Sequence, residues 1–349
     1  MSRIGFSVYL SSFENQKEIL DKVGSKYYVF TSFHIQEELD NINNYQEQAR
    51  QMCYWLSNKG FTVIGDVSPK TLKYFAYDDV LQFASDMKID ILRIDYGFSD
   101  EEILEIAKYK HLAFNASTVK KDFVGSLKNV NNDIYAFHNF YPRPETGLDE
   151  DFFVSINNTL KDLGIKTLAF IPGDEIKRGP LFEGLPTLEK HRHLTPYIGF
   201  LDLIINYDID IVFIGDIKIS NKEVKLIIDY LNDSIIRVPV RFFKPYDYLY
   251  DQVFTIRVDS PKWIMRLQES REYSCSGLLQ EPNNCIIREK GFITMDNKNY
   301  KRYSGEIQII RERLPQDDRV NVIGKIETQY LSIVNCIKNG MKIKFIKAQ

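Results

Sequence analysis

Apolar residues fall in short runs at near-even spacing along the first 216 positions of the chain. The runs are IGFSVYL (4–10), YYVFTSF (27–33), FTVIGDV (61–67), ILRIDY (91–96), LAFNAS (112–117), DIYAFHNF (133–140), TLAFIPG (167–173) and DIVFIGD (210–216). Each is of strand length, and the stretches between them carry helical spacing or charge. NYQEQARQMCYWLSNKG (44–60) predicts an amphipathic helix stopped by Gly60. SDEEILEIAKYK (99–110) opens with Ser99 as N-cap and acids in its first turn. SNKEVKLIIDYLND (220–233) follows the eighth run in the same style.

Strands that alternate with helices pair in parallel through crossover connections. Eight such units within 233 residues fit the size of a (β/α)8 TIM barrel. A doubly wound open sheet is the competing α/β architecture. Its dinucleotide-binding form needs a glycine-rich first turn, which YLSSFENQ does not supply, and no P-loop occurs. Beyond residue 233 the pattern changes. SIIRVPVRFF, QVFTIRV, CIIREKGFITM, GEIQIIRERL and VNVIGKI are β-rich runs divided by Pro, Gly, Asn and Asp, and MKIKFIK closes the chain. Only IETQYLSIVNCIKNG (326–340) reads as helical. The expected organisation is therefore a barrel over 1–233 and a small, mostly antiparallel β-barrel domain over 234–349.

Composition narrows the function classes. At 44% apolar, 27% charged and 13% aromatic, the 349-residue chain has the makeup of a globular protein. Its net charge of −3, with both signs interspersed, offers no basic stripe for nucleic acid and no basic amphipathic segment for a membrane surface. The N-terminus lacks signal-peptide order, so the expected location is the cytoplasm. Cys53, Cys275, Cys285 and Cys336 form no CxxC pair and read as free thiols.

Candidate chemistry lies at the carboxyl ends of the strands, where barrels of this kind carry their active sites. The third run ends at Asp66 and Ser68. The fourth places Arg93 and Asp95 on one face, the fifth Asn115 and Ser117, and the sixth offers His138, Asn139, Tyr141 and Arg143. The eighth ends at Asp216. Within ILRIDY, Arg93 could hold a nearby carboxylate ionised. A structural salt bridge would explain that pair equally well. The loop DEIKRGPLFEGLPTLEKHRH (174–193) is the densest polar segment. Arg178 and Arg192 suit a phosphate or carboxylate, Glu189 and His191 lie between them in sequence, and Glu183 could swing in from the loop. His191 and His193 form an HxH pair that lacks a third placed ligand, so no metal is expected. Two carboxylates across a barrel mouth can hydrolyse a glycosidic bond, and Asp66 and Asp95 end adjacent strands. Rim aromatics Tyr96, Phe98, Phe140 and Tyr141 could stack on a sugar or simply pack. The residues alone predict a barrel enzyme for a polar, anionic small substrate. An aldolase or isomerase would want a strand-end lysine or a metal triad, and no run ends in lysine. A sugar-phosphate binding protein without turnover is the remaining alternative.

DVSP, RIDYGF, NAS, HNFYPRPETGL and EGLPTLEKHR, with YSGEIQI and RVNVIG further on, resemble the bacterial 6-phospho-N-acetylmuramidase family across nearly the whole chain. That resemblance implies a TIM barrel followed by a cyclophilin-like β-domain. It further implies exo-acting hydrolysis of the β-1,4 bond in N-acetylmuramic acid 6-phosphate–N-acetylglucosamine during peptidoglycan recycling. No cofactor is implied. Asp95, Asp66 and Glu183 are then the catalytic candidates. Arg93, Asn115, Ser117, His138, Asn139, Tyr141, Arg143, Arg178, Glu189, His191 and Arg192 are candidates for binding the phosphorylated muramyl disaccharide. The second domain is a candidate lid, specificity element or homodimer surface, with Arg257, Lys262 and Arg271 the cations that could reach a phosphate.

Overall fold

The computed structural model describes residues 3–118, 121–127, 133–272 and 274–347. Contacts divide the chain into two compact units, Met1–Glu223 and Val224–Gln349.

The first unit is a closed barrel of eight parallel strands in sequence order. They are β1 (Ile4–Ser7), β2 (Tyr28–Ser32), β3 (Thr62–Val67), β4 (Ile91–Ile94), β5 (His111–Asn115), β6 (Ile134–Phe137), β7 (Lys166–Ile171) and β8 (Ile211–Ile214). Register closes the ring, with Gly5 beside Tyr28 on one side and Phe213 on the other. Each strand thus coincides with one predicted apolar run.

Helices form where the sequence calls for them. Helix Tyr45–Asn58 ends before Gly60, whose φ of +82° turns the chain out of the helix at little steric cost. Helix Asp100–Ala107 is closed by a capping box: the Ser99 hydroxyl accepts from the Glu102 N–H, and the Glu102 carboxylate accepts from the Ser99 N–H at 2.7 Å.

Alternation along the strands sorts the barrel into an inside and an outside. Tyr28, Phe30, Ile64, Ile91, Ala113, Tyr135, Phe137, Leu168, Phe170, Ile211 and Phe213 point inward and pack as one core. Phe137 sits at its centre, 5.0 Å from the rings of Phe30, Phe170 and Phe213. These rings fill the lumen only because Gly5 has no side chain: a Cβ there would lie 2.4 Å from Phe213. The lumen is therefore a solid aromatic floor, and any site must lie above it.

The second unit is one seven-stranded mixed sheet. Its strands are β9 (Ile235–Phe242), β10 (Val253–Thr255), β11 (Ile264–Arg266), β12 (Phe292–Asp296), β13 (Ile307–Ile310), β14 (Val320–Ile326) and β15 (Lys342–Lys347), in the spatial order 10-15-9-14-12-13-11. Every pairing is antiparallel except β9 with β15. The segment that reads as helical over 326–340 begins as the end of β14 and turns helical only over Thr328–Asn335, as a 3-10 helix rather than an α-helix. Five β-branched residues in that stretch, Ile326, Thr328, Ile333, Val334 and Ile337, weaken an α-helix.

Candidate functional site

Above the aromatic floor, at the carboxyl ends of the strands, lies a cavity of about 320 Å³. It is lined by Tyr9, Phe30, Ser32, His34, Ile35, Asp66, Arg93, Asp95, Phe137, Asn139, Phe140, Phe170 and Arg178. The strand period explains the polar members. Tyr9 continues the inward parity of β1, Ser32 and His34 that of β2, Asp66 that of β3, Arg93 and Asp95 that of β4, and Asn139 that of β6.

Register sets the central pair. Asp66 lies directly beside Arg93 in the β3–β4 pairing, and the Arg93 Nη1 donates to the Asp66 carboxylate at 2.7 Å. Its Nη2 donates to the Asn139 side-chain carbonyl at 2.8 Å. Both members of the ion pair are nearly sealed from solvent, at 8% and 5% side-chain exposure. Burial pushes the Asp66 carboxyl above its ordinary range, against the opposing pull of Arg93 and His34. Arg93 thus anchors Asp66 rather than Asp95, and burial outweighs its charge. The guanidinium lies 5.9 Å over both Phe30 and Phe137, resting on the aromatic floor.

Asp95 stands higher and wetter, with 29% of its side chain exposed. One imidazole nitrogen faces both carboxylates: His34 Nε2 is 3.4 Å from Asp66 and 3.8 Å from Asp95. Sequence reading missed His34. Its signal is the continued alternation Phe30, Ser32, His34 past the end of the apolar run.

The other expected site residues divide by position. Asn139 and Arg178 line the central cavity. Asn115 lines a separate cavity of about 170 Å³ on the far side of Asp95, with Tyr96, Phe98 and Phe114. Its side-chain oxygen accepts from the Ser117 N–H. Ser117, Arg143 and Glu183 are exposed and Tyr141 partly so, and none lines the central cavity.

Four expected ligand-binding residues turn out to be internal fastenings. His138 is one residue out of phase with Asn139, so it points outward. There it pairs with Asn157 at 2.8 Å and packs on Phe153 of the helix Glu150–Asp162. Burial pushes its imidazole down to about 4, so it is neutral at physiological pH. His191 is fully buried against Asp202, 2.8 Å away. Arg192 donates to the Glu189 carboxylate and to the backbone carbonyls of Tyr141, Arg143 and Gly184. Glu189 also accepts from the N–H groups of Glu145 and Gly147. Arg192 and Glu189 therefore staple the loop after β7 to the loop after β6, and a buried guanidinium with this many acceptors has no room for a substrate anion.

That staple makes a checkable prediction. Arg192, followed by the Glu145 and Gly147 N–H groups, holds the Glu189 carboxyl down at about 2 against burial, from an ordinary 4.5. A depressed carboxyl stabilises the folded state above its ordinary pKa and loses that contribution as pH falls toward the depressed value. Glu189→Gln should melt below wild type at pH 7, and the gap should close between pH 4.5 and about 2. Equal melting temperatures at pH 7 would contradict the staple.

Asp216 does similar work for the same loop: its carboxylate accepts from the N–H groups of Gly173, Arg178 and Leu185. This pins the backbone of Arg178 at the cavity wall. In the second unit, Arg257 pairs with Asp259 and Arg271 with Glu306, so both cations are already matched within that unit. Lys262 lies over the Trp263 ring.

Comparison with known proteins gives this geometry a family. The model for the N-terminal domain of 6-phospho-N-acetylmuramidase matches residues 4–229, and the C-terminal model of the same enzyme matches residues 243–346. The chain belongs to the 6-phospho-N-acetylmuramidase family. Among solved structures, a conserved protein of unknown function from Enterococcus faecalis is similar over 99% of this chain and 96% of its own, at 30% identity and a TM-score of 0.84. An uncharacterized Bacillus cereus protein is 22% identical with a TM-score of 0.78, covering 99% of this chain and all of its own, and shows the shared fold. No curated protein sequence matches the chain significantly. The family is one of glycosidases, and two carboxylates at the mouth of a barrel suit that chemistry.

Proposed function

We propose that this protein is an exo-acting glycoside hydrolase. Its substrate is N-acetylmuramic acid 6-phosphate–N-acetylglucosamine, cleaved at the β-1,4 bond to give the two monosaccharides. The observation that carries the reading is the pair Asp66 and Asp95 facing a common imidazole in the barrel mouth, on a chain of the 6-phospho-N-acetylmuramidase family.

The two acids differ in the way such a reaction uses. Asp66 is buried, fixed by Arg93 and unable to swing. It suits a static role, placing negative charge beside the developing oxocarbenium centre or holding a polar group of the sugar. Asp95 is partly exposed and reachable by water, so it can give a proton to the leaving oxygen and be reprotonated between turnovers. His34 sits where it can share a proton with either. Phe140, packed edge-on to Phe170, offers a ring to a sugar face. Among the described residues no lysine lines the cavity, which disfavours a Schiff-base aldolase.

The phosphorylated substrate belongs to peptidoglycan recycling after phosphotransferase uptake, which would place the reaction in the cytoplasm. Among the described residues no helix is long and apolar enough to cross a membrane. The reading is tested by incubating the purified protein with the phosphorylated disaccharide and following its products by mass spectrometry. Two monosaccharides, one carrying phosphate, are expected. Recovery of intact disaccharide would refute the reading.

A further inference from the structure

The central cavity presents a charge problem. Arg93 spends its charge on Asp66 and its second donor on Asn139, so neither that pair nor Asp95 offers an anionic sugar a free cation. Something else must attract the anion.

Arg178 has the right properties. Among the described residues no carboxylate lies within ion-pair distance of its guanidinium, unlike those of Arg93 and Arg192. Two rings hold it in place: it lies 4.6 Å over Tyr9 and 5.7 Å over Phe140. The Tyr9 ring is itself fixed, its hydroxyl donating to the Gly215 carbonyl at 2.6 Å. The backbone of Arg178 is tied to Asp216 at 2.9 Å. A cation positioned this firmly and left without a counter-ion is pre-organised for a ligand.

Position adds a second argument. Arg178, Tyr9 and Ile35 line both the central cavity and a side cavity of about 300 Å³, which also takes in Ser11, Ser12 and Pro180. Two acids face that side cavity. Glu38 is occupied, accepting from the Ser11 N–H and hydroxyl at 2.9 and 2.7 Å, while Glu37 is exposed. They disfavour an anion deep in the side cavity, so an oxyanion is most stable at the junction, against Arg178.

The geometry points to Arg178 as the specificity-determining residue that binds an oxyanion substituent of the sugar where the central cavity opens into the side cavity. The inference rests on the glycosidase reading above and locates its anion. A guanidinium fork matches either a phosphate monoester or a carboxylate in a bidentate manner. The substrate proposed above carries one of each.

Calorimetric titration of the full-length protein separates the two sources. The ligands are N-acetylglucosamine, its 6-phosphate and N-acetylmuramic acid. Wild type should bind at least one of the two anionic sugars more tightly than the neutral one, by roughly 100-fold for a bidentate charge-assisted contact. Arg178→Gln should erase that advantage, and Arg178→Lys, which keeps the charge without the fork, should erase part of it. Loss in the 6-phosphate arm assigns the phosphate; loss in the muramic acid arm assigns the carboxylate. A merely structural role would weaken all three ligands alike. No anionic preference in wild type, or a preference that survives both substitutions, would overturn the inference. Turnover is scored separately. If wild type binds the anion through Arg178 but cleaves no disaccharide, the oxyanion site stands and the hydrolase reading falls. If it cleaves and Arg178→Gln keeps the preference, only the assignment of Arg178 falls.

Discussion

Replacement of Asp95 by asparagine should reduce kcat/KM on the phosphorylated disaccharide by roughly 10²–10⁴-fold, the range for loss of a positioned general acid or base. The substitution keeps the shape of the side chain and removes only its ability to carry and release a proton. The Asp95 side chain is 29% exposed and touches His34 only at 3.8 Å, so the fold does not depend on its charge. Melting temperature should stay within a few degrees of wild type, and the loss should fall on kcat more than on KM. Unaltered turnover by a folded Asp95→Asn protein would remove Asp95 from the mechanism and leave Asp66 as the remaining acid of the cavity.

The substitution Arg93→Met should act on stability instead. Arg93 and Asp66 are both buried, and removing one partner of a buried pair typically costs about 3–5 kcal/mol because a charge is left without compensation. Asn139 would lose its donor as well. The pH dependence follows from Asp66. Its carboxyl is already raised by burial, and loss of Arg93 would raise it further. A group raised in the folded state supports folding below its unfolded pKa, about 3.9 for aspartate, and withdraws that support as pH rises through the folded value. The gap between wild type and Arg93→Met should therefore be widest at neutral pH and shrink near pH 4. Urea titrations at the two pH values measure it. The double variant Asp66→Asn, Arg93→Met should recover much of the loss. A variant as stable as wild type at pH 7 would mean that Asp66 already carries its proton there.

The barrel was legible because eight apolar runs recur with helical stretches between them, and a parallel sheet buried on both faces demands such runs. The central acids were legible too, since Asp66 and Asp95 end strands whose parity is clear from Ile64 and Ile91. His138 was misplaced for lack of that test. It and Asn139 are adjacent, so they cannot both face the lumen, and Tyr135 and Phe137 fix Asn139 as the inward one. The same period, carried two residues past the ends of β1 and β2, would have found Tyr9 and His34. The loop after β7 was harder. Its arginines, acids and histidines look alike in sequence, and only tertiary contacts show that Arg192 fastens two loops while Arg178 reaches the cavity. The 3-10 turns at Thr328–Asn335 were likewise beyond a periodicity reading, because the buried Tyr330, Ile333 and Val334 stand three and four residues apart, a spacing that suits either kind of helix.

The most direct test of the central claim is a kcat/KM comparison between the 6-phosphorylated muramyl–glucosaminyl disaccharide and its unphosphorylated form, with products identified by mass spectrometry. Efficient release of both monosaccharides from the phosphorylated form, with the unphosphorylated form cleaved poorly, is the predicted result. Cleavage of neither by folded protein, or equal cleavage of both, would contradict it.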